Sequence, residues 1–247
     1  MIPFRDENPT RTIPVITTAI IAINLAVFLY QSILPDARQL AFVYTHAAIP
    51  AVLLGQASLT EVLPRGLAAA AHAYSIPIQP LQPIWLTVLT SMFLHGGFLH
   101  LAGNMLYLWI FGNNVEDLLG PVRYVVFYLL CGLAAAAAQI AFSIGSPVPM
   151  IGASGAIAGV LGAYYVRFPR ARVQCLVFLF FFVSVIWLPA SLVLLLWFLL
   201  QVLNSFGVIG RSTHGGVAVF AHLGGFIAGW ALIRRFEPPR RPRRFGF

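Results

Sequence analysis

MIGASGAIAG, Met150 to Gly159, sets one serine among glycines and alanines at the head of an apolar run. A buried hydroxyl costs free energy unless something pairs with it. Ser154 is therefore either a small packing residue with a backbone partner or a group held there to react. Gly155, Gly159 and Gly162 follow at i, i+4 and i+7, one stripe along a helix. His222, Gly225 and Gly229 form a second stripe at i, i+3 and i+7. Small residues spaced this way let helix backbones approach closely in lipid. If the two stripes meet, the Ser154 hydroxyl comes within reach of the His222 imidazole. The bland alternative is that both stripes are packing seams and nothing more.

The composition says where such helices would sit. The 247 residues are 60% hydrophobic and 9% charged, against roughly 25% charged in a soluble domain. Mean hydropathy is +0.87. All 15 basic residues are Arg, set against 7 acidic ones, for a net charge of +8. The arginines cluster at the ends of apolar runs, which fits anionic headgroups and not nucleic acid. Cys131 and Cys175 lie in apolar segments and read as free thiols.

Six apolar stretches are expected to cross the bilayer, at 13–31, 97–113, 122–142, 153–166, 188–205 and 216–234. The expected fold is an all-α, multi-pass integral membrane protein. One six-span domain would cover 1–236, with a basic cytoplasmic tail at 237–247. Residues 34–83 read as a large, partly helical, membrane-associated first external loop. VQCLVFLFFFVSVIWL, from Val173, is uncharged and rich in β-branched and aromatic residues, and periodicity does not settle its form. With six spans, Arg5, Arg11, Arg123, the cluster Arg167 to Arg172 and the C-terminal arginines share one side. That puts both termini in the cytoplasm.

Three polar residues from three spans share a depth. Ser154, His222 and Asn104 each lie roughly 18 to 20 Å along a helix from a charged residue at the cytoplasmic end. A polar group there needs a partner or a water-filled hollow. A histidine in contact with a serine takes its proton and returns it to a leaving amine. The tetrahedral oxyanion needs donors. Asn104, His100 one turn away and the Ser154 amide at a helix start would supply them. No acidic residue lies near this level, so the expectation is a Ser–His pair without a carboxylate. Zinc held by His95, His100 and His222 is disfavoured, because His95 and His100 are five apart and no intramembrane carboxylate completes the set. A proton relay or small transporter would need polar residues along a path across the bilayer, and these form one cluster.

The motifs resemble those of the rhomboid family of intramembrane serine proteases. GASG at Gly152 to Gly155 is similar to its GxSG motif. HGGFLHLAGN places His95, His100 and Asn104 with its HxxxxHxxxN spacing, and AHLGGFIAG resembles its AHxxGxxxG motif around His222. FRDENPTRTIPVIT looks like the start of bacterial members. The resemblance implies a rhomboid-like six-helix bundle, with Ser154 as nucleophile and His222 as general base, then acid. His100, Asn104 and the Ser154 amide would line the oxyanion hole. Gly152 would shape the loop before the serine, His95 would order the adjoining loop, and Glu116 with Gly120 would hold the cytoplasmic end of the second span. Two departures are visible. The first external loop lacks the family's Trp-Arg pair, and Ala158 stands where many members carry an aromatic ring against the histidine.

The implied activity needs no cofactor and no metal. Its partners would be the lipid bilayer and transmembrane protein substrates with helix-destabilising residues, reaching the serine past the fifth span and under a cap loop at Gly207 to Gly215. The implied location is a bacterial inner membrane. The physiological substrate and the oligomeric state are not legible. A rhomboid-like binder of transmembrane helices that does not cleave is the alternative, although such members usually lose the serine or the histidine. His46, His72 and His214 read as solvated loop residues. Asn24, Gln201 and Asn204 read as interhelical or interfacial polar residues.

Overall fold

The computed structural model describes residues 2–179, 182–205 and 219–239. The expected cap loop, with Arg211 and His214, and the tail from residue 240 lie outside them. Each of the six apolar stretches contains a helix. The first is α1 (Val15–Ile33), and the second is α7 (Phe98–Tyr107), which runs through a π-helical turn at Leu108–Gly112 into α8 (Asn113–Leu119). Then come α9 (Pro121–Phe142), α10 (Ser154–Arg167), α11 (Ala190–Ser205) and α12 (Val219–Phe236). Of these, α1 and α9 are each long and apolar enough to cross a membrane. A short helix α6 (Leu86–Thr90) and the turn after it bend by 93° into the α7–α8 segment, and that pair also qualifies if it is one span.

Helix ends are set by local chemistry. Gly120 stops α8 at φ +78°, where a side chain would be strained, and Pro121 opens α9. The start of α1 has no side-chain cap of its own. Glu116 of α8 supplies one from across the bundle. Its carboxylate accepts from Ile16 N at 2.8 Å, Thr17 N at 2.8 Å and Thr17 Oγ1 at 2.7 Å. A negative charge at a helix N-terminus, bonded to its free amides, is favourable on both counts. Asp117 continues the tether through Thr12 N at 2.9 Å and Thr12 Oγ1 at 2.6 Å.

The bundle is centred on α10, which is buried without interruption from Gly155 to Tyr164. The two glycine stripes meet there. A Cβ on Gly225 would run into the Gly155 carbonyl, one on Gly229 into the Gly159 carbonyl, and one on Gly162 into the Phe226 carbonyl. The α10 and α12 backbones therefore touch with no side chains between them. Large buried rings, Phe111, Tyr124, Phe127, Tyr128 and Tyr164, fill the rest of the core toward α8 and α9. At the far end of α10 and α12, Arg167 pairs with Glu237 at 2.8 Å.

Residues 34–83 are helical in four pieces, α2 (Asp36–His46), α3 (Pro50–Leu53), α4 (Leu59–Val62) and α5 (Arg65–Ala73). They build a small core of their own from Ala47, Ile49, Val52, Leu59 and Leu94. A capping box joins Ser58 and Glu61 at the start of α4. His46, read from sequence as a solvated loop residue, instead ends α2 with its Nδ1 2.9 Å from the Phe42 carbonyl. His72 likewise lies within α5.

The all-α expectation needs correction. Residues 172–179 and 182–189 pair as antiparallel strands, β2 (Arg172–Leu179) and β3 (Phe182–Pro189), and β1 (Ile2–Asp6) adds a third strand in the order β1-β2-β3. Val, Ile, Phe and Trp favour a pleated surface. A lone hairpin is marginal, so the chain's first residues complete the sheet. Asp6 fastens its base, accepting from Tyr164 OH at 2.6 Å and Asn114 Nδ2 at 2.9 Å. From there β1 climbs along the Leu108–Gly112 turn toward α7. Val173 and Cys175 point into the core, while Val183, Val185 and Ile186 of the outer strand are exposed.

Three substitutions, one of them a control, test these supports by thermal unfolding in detergent. Gly229→Ala is expected to cost about 1–3 kcal/mol or more, since backbone blocks the new methyl, whereas Gly66→Ala, with open space around it, should be neutral or slightly stabilising. Glu116→Ala removes three charge-assisted bonds and strands the buried Thr17, and should cost about 2–4 kcal/mol.

Candidate active site

The loop before α10 is clamped from both sides. Met150 N donates to Ala48 O at 2.8 Å, and Gly152 N to Ser91 O at 2.9 Å. Gly152 has φ +118°, and a Cβ there would sit 2.8 Å from His100 Nε2 and 3.6 Å from Asn104 Nδ2. Only glycine satisfies both the backbone angle and the close approach. The loop thus delivers Ser154 as the first residue of α10, with His100 and Asn104 directly beside the preceding peptide. Across the glycine seam, His222 sits one turn before Gly225 on α12. Its Nε2 is 2.7 Å from Ser154 Oγ.

A second network holds α7 against α1. Asn104 Nδ2 is 2.9 Å from His95 Nε2 and, carrying the hydrogens, donates one of them. That leaves Asn104 its other N–H. The His95 backbone bonds the Gln31 amide in both directions at 3.3 Å, and the His95 ring meets the His100 ring edge-on at 5.0 Å between centroids. Gln31 and His95 are almost fully buried. The structure brings His95, His100 and Asn104 into one neighbourhood. Gln31 has no signal in the motif and was missed.

The far side of the His222 ring faces α11. Gln201 Oε1 lies 2.8 Å from His222 Nδ1. Trp197, one turn earlier, has its ring centroid 5.8 Å from that of His222. The aromatic neighbour missing at Ala158 is thus supplied from another helix. Gln201, read as an interhelical polar residue, contacts the imidazole itself. Its signal was available: Trp197 and Gln201 are four apart and share a helix face. Gln139 of α9 accepts from Ala221 N at 3.1 Å, fixing the turn that carries His222.

Ser154, His222, His100 and Asn104 open on one cavity of 780 Å³, walled also by Tyr107 of α7 and Trp197 of α11. That volume suits a short stretch of extended peptide or a drug-sized ligand. Among the described residues, no three His, Cys, Asp or Glu side chains converge as a metal site would require. The arrangement can move a proton from the serine oxygen to the imidazole and present N–H donors next to it. Gly155 and Gly225 act through the seam, and Glu116 through the α1 cap, remote from the cavity.

Comparison with known proteins agrees with the motifs. A family model described as the rhomboid domain matches residues 82–236. Rhomboid protease GluP of Bacillus subtilis is 46% identical over 82 residues, covering 33% of this chain and 16% of that protein. The mitochondrial Rhomboid protein 1 of Saccharomyces cerevisiae is 32% identical over 173 residues, 64% of this chain and 45% of that one. The human mitochondrial presenilin-associated rhomboid-like protein is 33% identical over 87 residues, 34% of this chain and 23% of that one. The chain spans less than half the length of each. With the family model covering more than half of its residues, it is a membrane protein that belongs to the rhomboid family.

Proposed function

We propose that the chain is an intramembrane serine endopeptidase that cuts peptide bonds in or next to transmembrane segments. One observation carries the reading: a serine hydroxyl touches a histidine Nε2 at 2.7 Å, at the mouth of a cavity among apolar helices. In the reaction, Ser154 Oγ attacks the scissile carbonyl carbon as its proton passes to His222 Nε2. The carbonyl oxygen becomes an oxyanion beside Asn104, His100 and the Ser154 amide. Collapse breaks the C–N bond, and the imidazolium gives its proton to the leaving amine. Water, deprotonated by His222, then releases the acyl group. No step calls for a cofactor.

Substrates follow from the same physics. A helical peptide has its carbonyls engaged in hydrogen bonds and must unwind before attack, so Gly, Pro or polar residues near the outer end of a single span favour cutting. We infer access between α7 and α11, because both wall the cavity and, among the described residues, α11 packs most on α12 and only lightly on α10 and on the strands β2 and β3. On that side the sheet meets both helices, β1 against α7 and β2 with β3 against α11. Six spans with both termini in the cytoplasm fit the arginine bias and the shared end of Arg167, Glu237 and the α1 cap. The bacterial inner membrane rests on the likeness of the opening stretch FRDENPTRTIPVIT to bacterial members, whereas two of the three relatives above are named mitochondrial.

The test is cleavage of a single-span substrate in proteoliposomes. Ser154→Ala should abolish it, and His222→Ala should lower kcat/KM by at least about 10³-fold. Asn104→Ala should cost about 10²-fold through the lost donor. Parent-like cleavage by Ser154→Ala, with unfolding midpoints matched, would overturn the reading. A disulfide joining α7 to α11 should block a transmembrane substrate, and unimpeded cutting would refute side access.

A further inference from the structure

Gln201, we propose, is a positioning residue for the reaction: its side-chain oxygen fixes the tautomer of His222, so that Nε2 is the basic nitrogen facing Ser154. This rests on the proposed peptidase reading and extends it from a pair to a neutral triad. A neutral imidazole carries one proton on either of two nitrogens, and only one arrangement leaves a base beside the serine. Gln201 Oε1, 2.8 Å from Nδ1, can only accept. It therefore requires Nδ1–H and leaves the Nε2 lone pair for the Ser154 hydroxyl 2.7 Å away. With the amide reversed, its NH2 would donate to Nδ1, the proton would move to Nε2, and no base would face the serine.

The choice of an amide suits the surroundings. A carboxylate at this depth would be a buried charge with a large desolvation cost while the imidazole is neutral. The amide dipole orients the ring without that cost and still favours the imidazolium when it forms. Trp197, one turn earlier on α11, covers the ring from the same helix, so one rigid element fixes both its rotation and its tautomer. Around His222, α10 brings Ser154, α9 brings the neutral Gln139, and α11 brings Trp197 and Gln201. From α7, His100 and Tyr107 are titratable groups on the same cavity. Because α11 also walls the cavity, displacing it far from α12 would withdraw Gln201 and leave the tautomer unset.

Two readouts test this on the full-length protein. The first needs no cleavage. In ¹⁵N-histidine-labelled protein, the His222 signals, assigned by their loss in His222→Gln, should show the Nδ1–H form as dominant in the parent. Gln201→Leu should give a mixture of tautomers. A parent dominated by Nε2–H overturns the proposal whatever the activity. The second is kinetic. Gln201→Leu should lower kcat about 10- to 100-fold, as loss of an orienting partner does, with KM changed by less than about threefold. Gln201→Glu restores an oxygen acceptor, so it should regain activity above the leucine variant. Its acidic limb should move to higher pH, because a carboxylate favours the imidazolium. A Gln201→Leu kcat within twofold of the parent with an unchanged pH profile refutes the positioning role. The same holds for an unmoved limb in Gln201→Glu should the leucine variant not fold. Cleavage that survives Ser154→Ala would strike the peptidase reading instead, leaving the tautomer result to stand alone.

Discussion

Direct contact between the α10 and α12 backbones is the constraint on which the rest depends. Gly225 lies on the Gly155 carbonyl and Gly229 on the Gly159 carbonyl. Lipid tails are as apolar as leucine, so helices in a membrane gain little from hydrophobic burial against each other. What holds this pair is close packing, and close packing here means having no side chain. The functional geometry is a by-product of that seam. Ser154 precedes the first glycine and His222 stands one turn before its partner, so the distance between the helices sets the distance between hydroxyl and imidazole. Any residue larger than glycine would move the two groups apart before it touched either.

Around that seam the polar groups link one helix to the next. Asn104 serves His95, His95 is bracketed by Gln31, Gln139 holds the turn before His222, and Gln201 meets its outer nitrogen. Each set ties one helix to another where water is scarce and an unmatched group is costly. The N-terminal region does the same at the other end. Glu116 and Asp117 anchor the entrance to α1, and Asp6 locks β1 to α8 and α10. The segment joining α2 to α3 reaches back to steady the loop before Ser154 through Ala48.

Much of this was legible in the sequence. Each of the six apolar runs contains a helix, because length and absence of charge are strong local signals, although the second helical segment continues to Leu119 and, among the described residues, only α1 and α9 are long and apolar enough by themselves to cross a membrane. The small-residue stripes foretold which helices touch, and the motifs brought His95, His100, Asn104, Ser154 and His222 into one neighbourhood. The sheet was not legible. Val173 to Pro189 has the composition of a strand but no alternating polar face, and its third strand comes from residues 170 positions away whose charges, Arg5 and Asp6, mark them as a tail. Gln31 escaped for a different reason: a glutamine in an apolar helix has many bland uses, and only the fold says which neighbour it meets, whereas Gln201 was read as an interhelical polar residue and shares a helix face with Trp197. The missing aromatic at Ala158 was visible, while its replacement by Trp197 needed the placement of α11.

The central claim is that Ser154 is a nucleophile made reactive by His222. Mass mapping of a fluorophosphonate adduct on the detergent-folded, full-length protein tests it most directly. The account predicts a single adduct, on the peptide containing Ser154, that vanishes in Ser154→Ala and falls sharply in His222→Ala. An adduct on another residue, labelling that persists without the Ser154 hydroxyl, or folded parent protein that takes up no probe would contradict it.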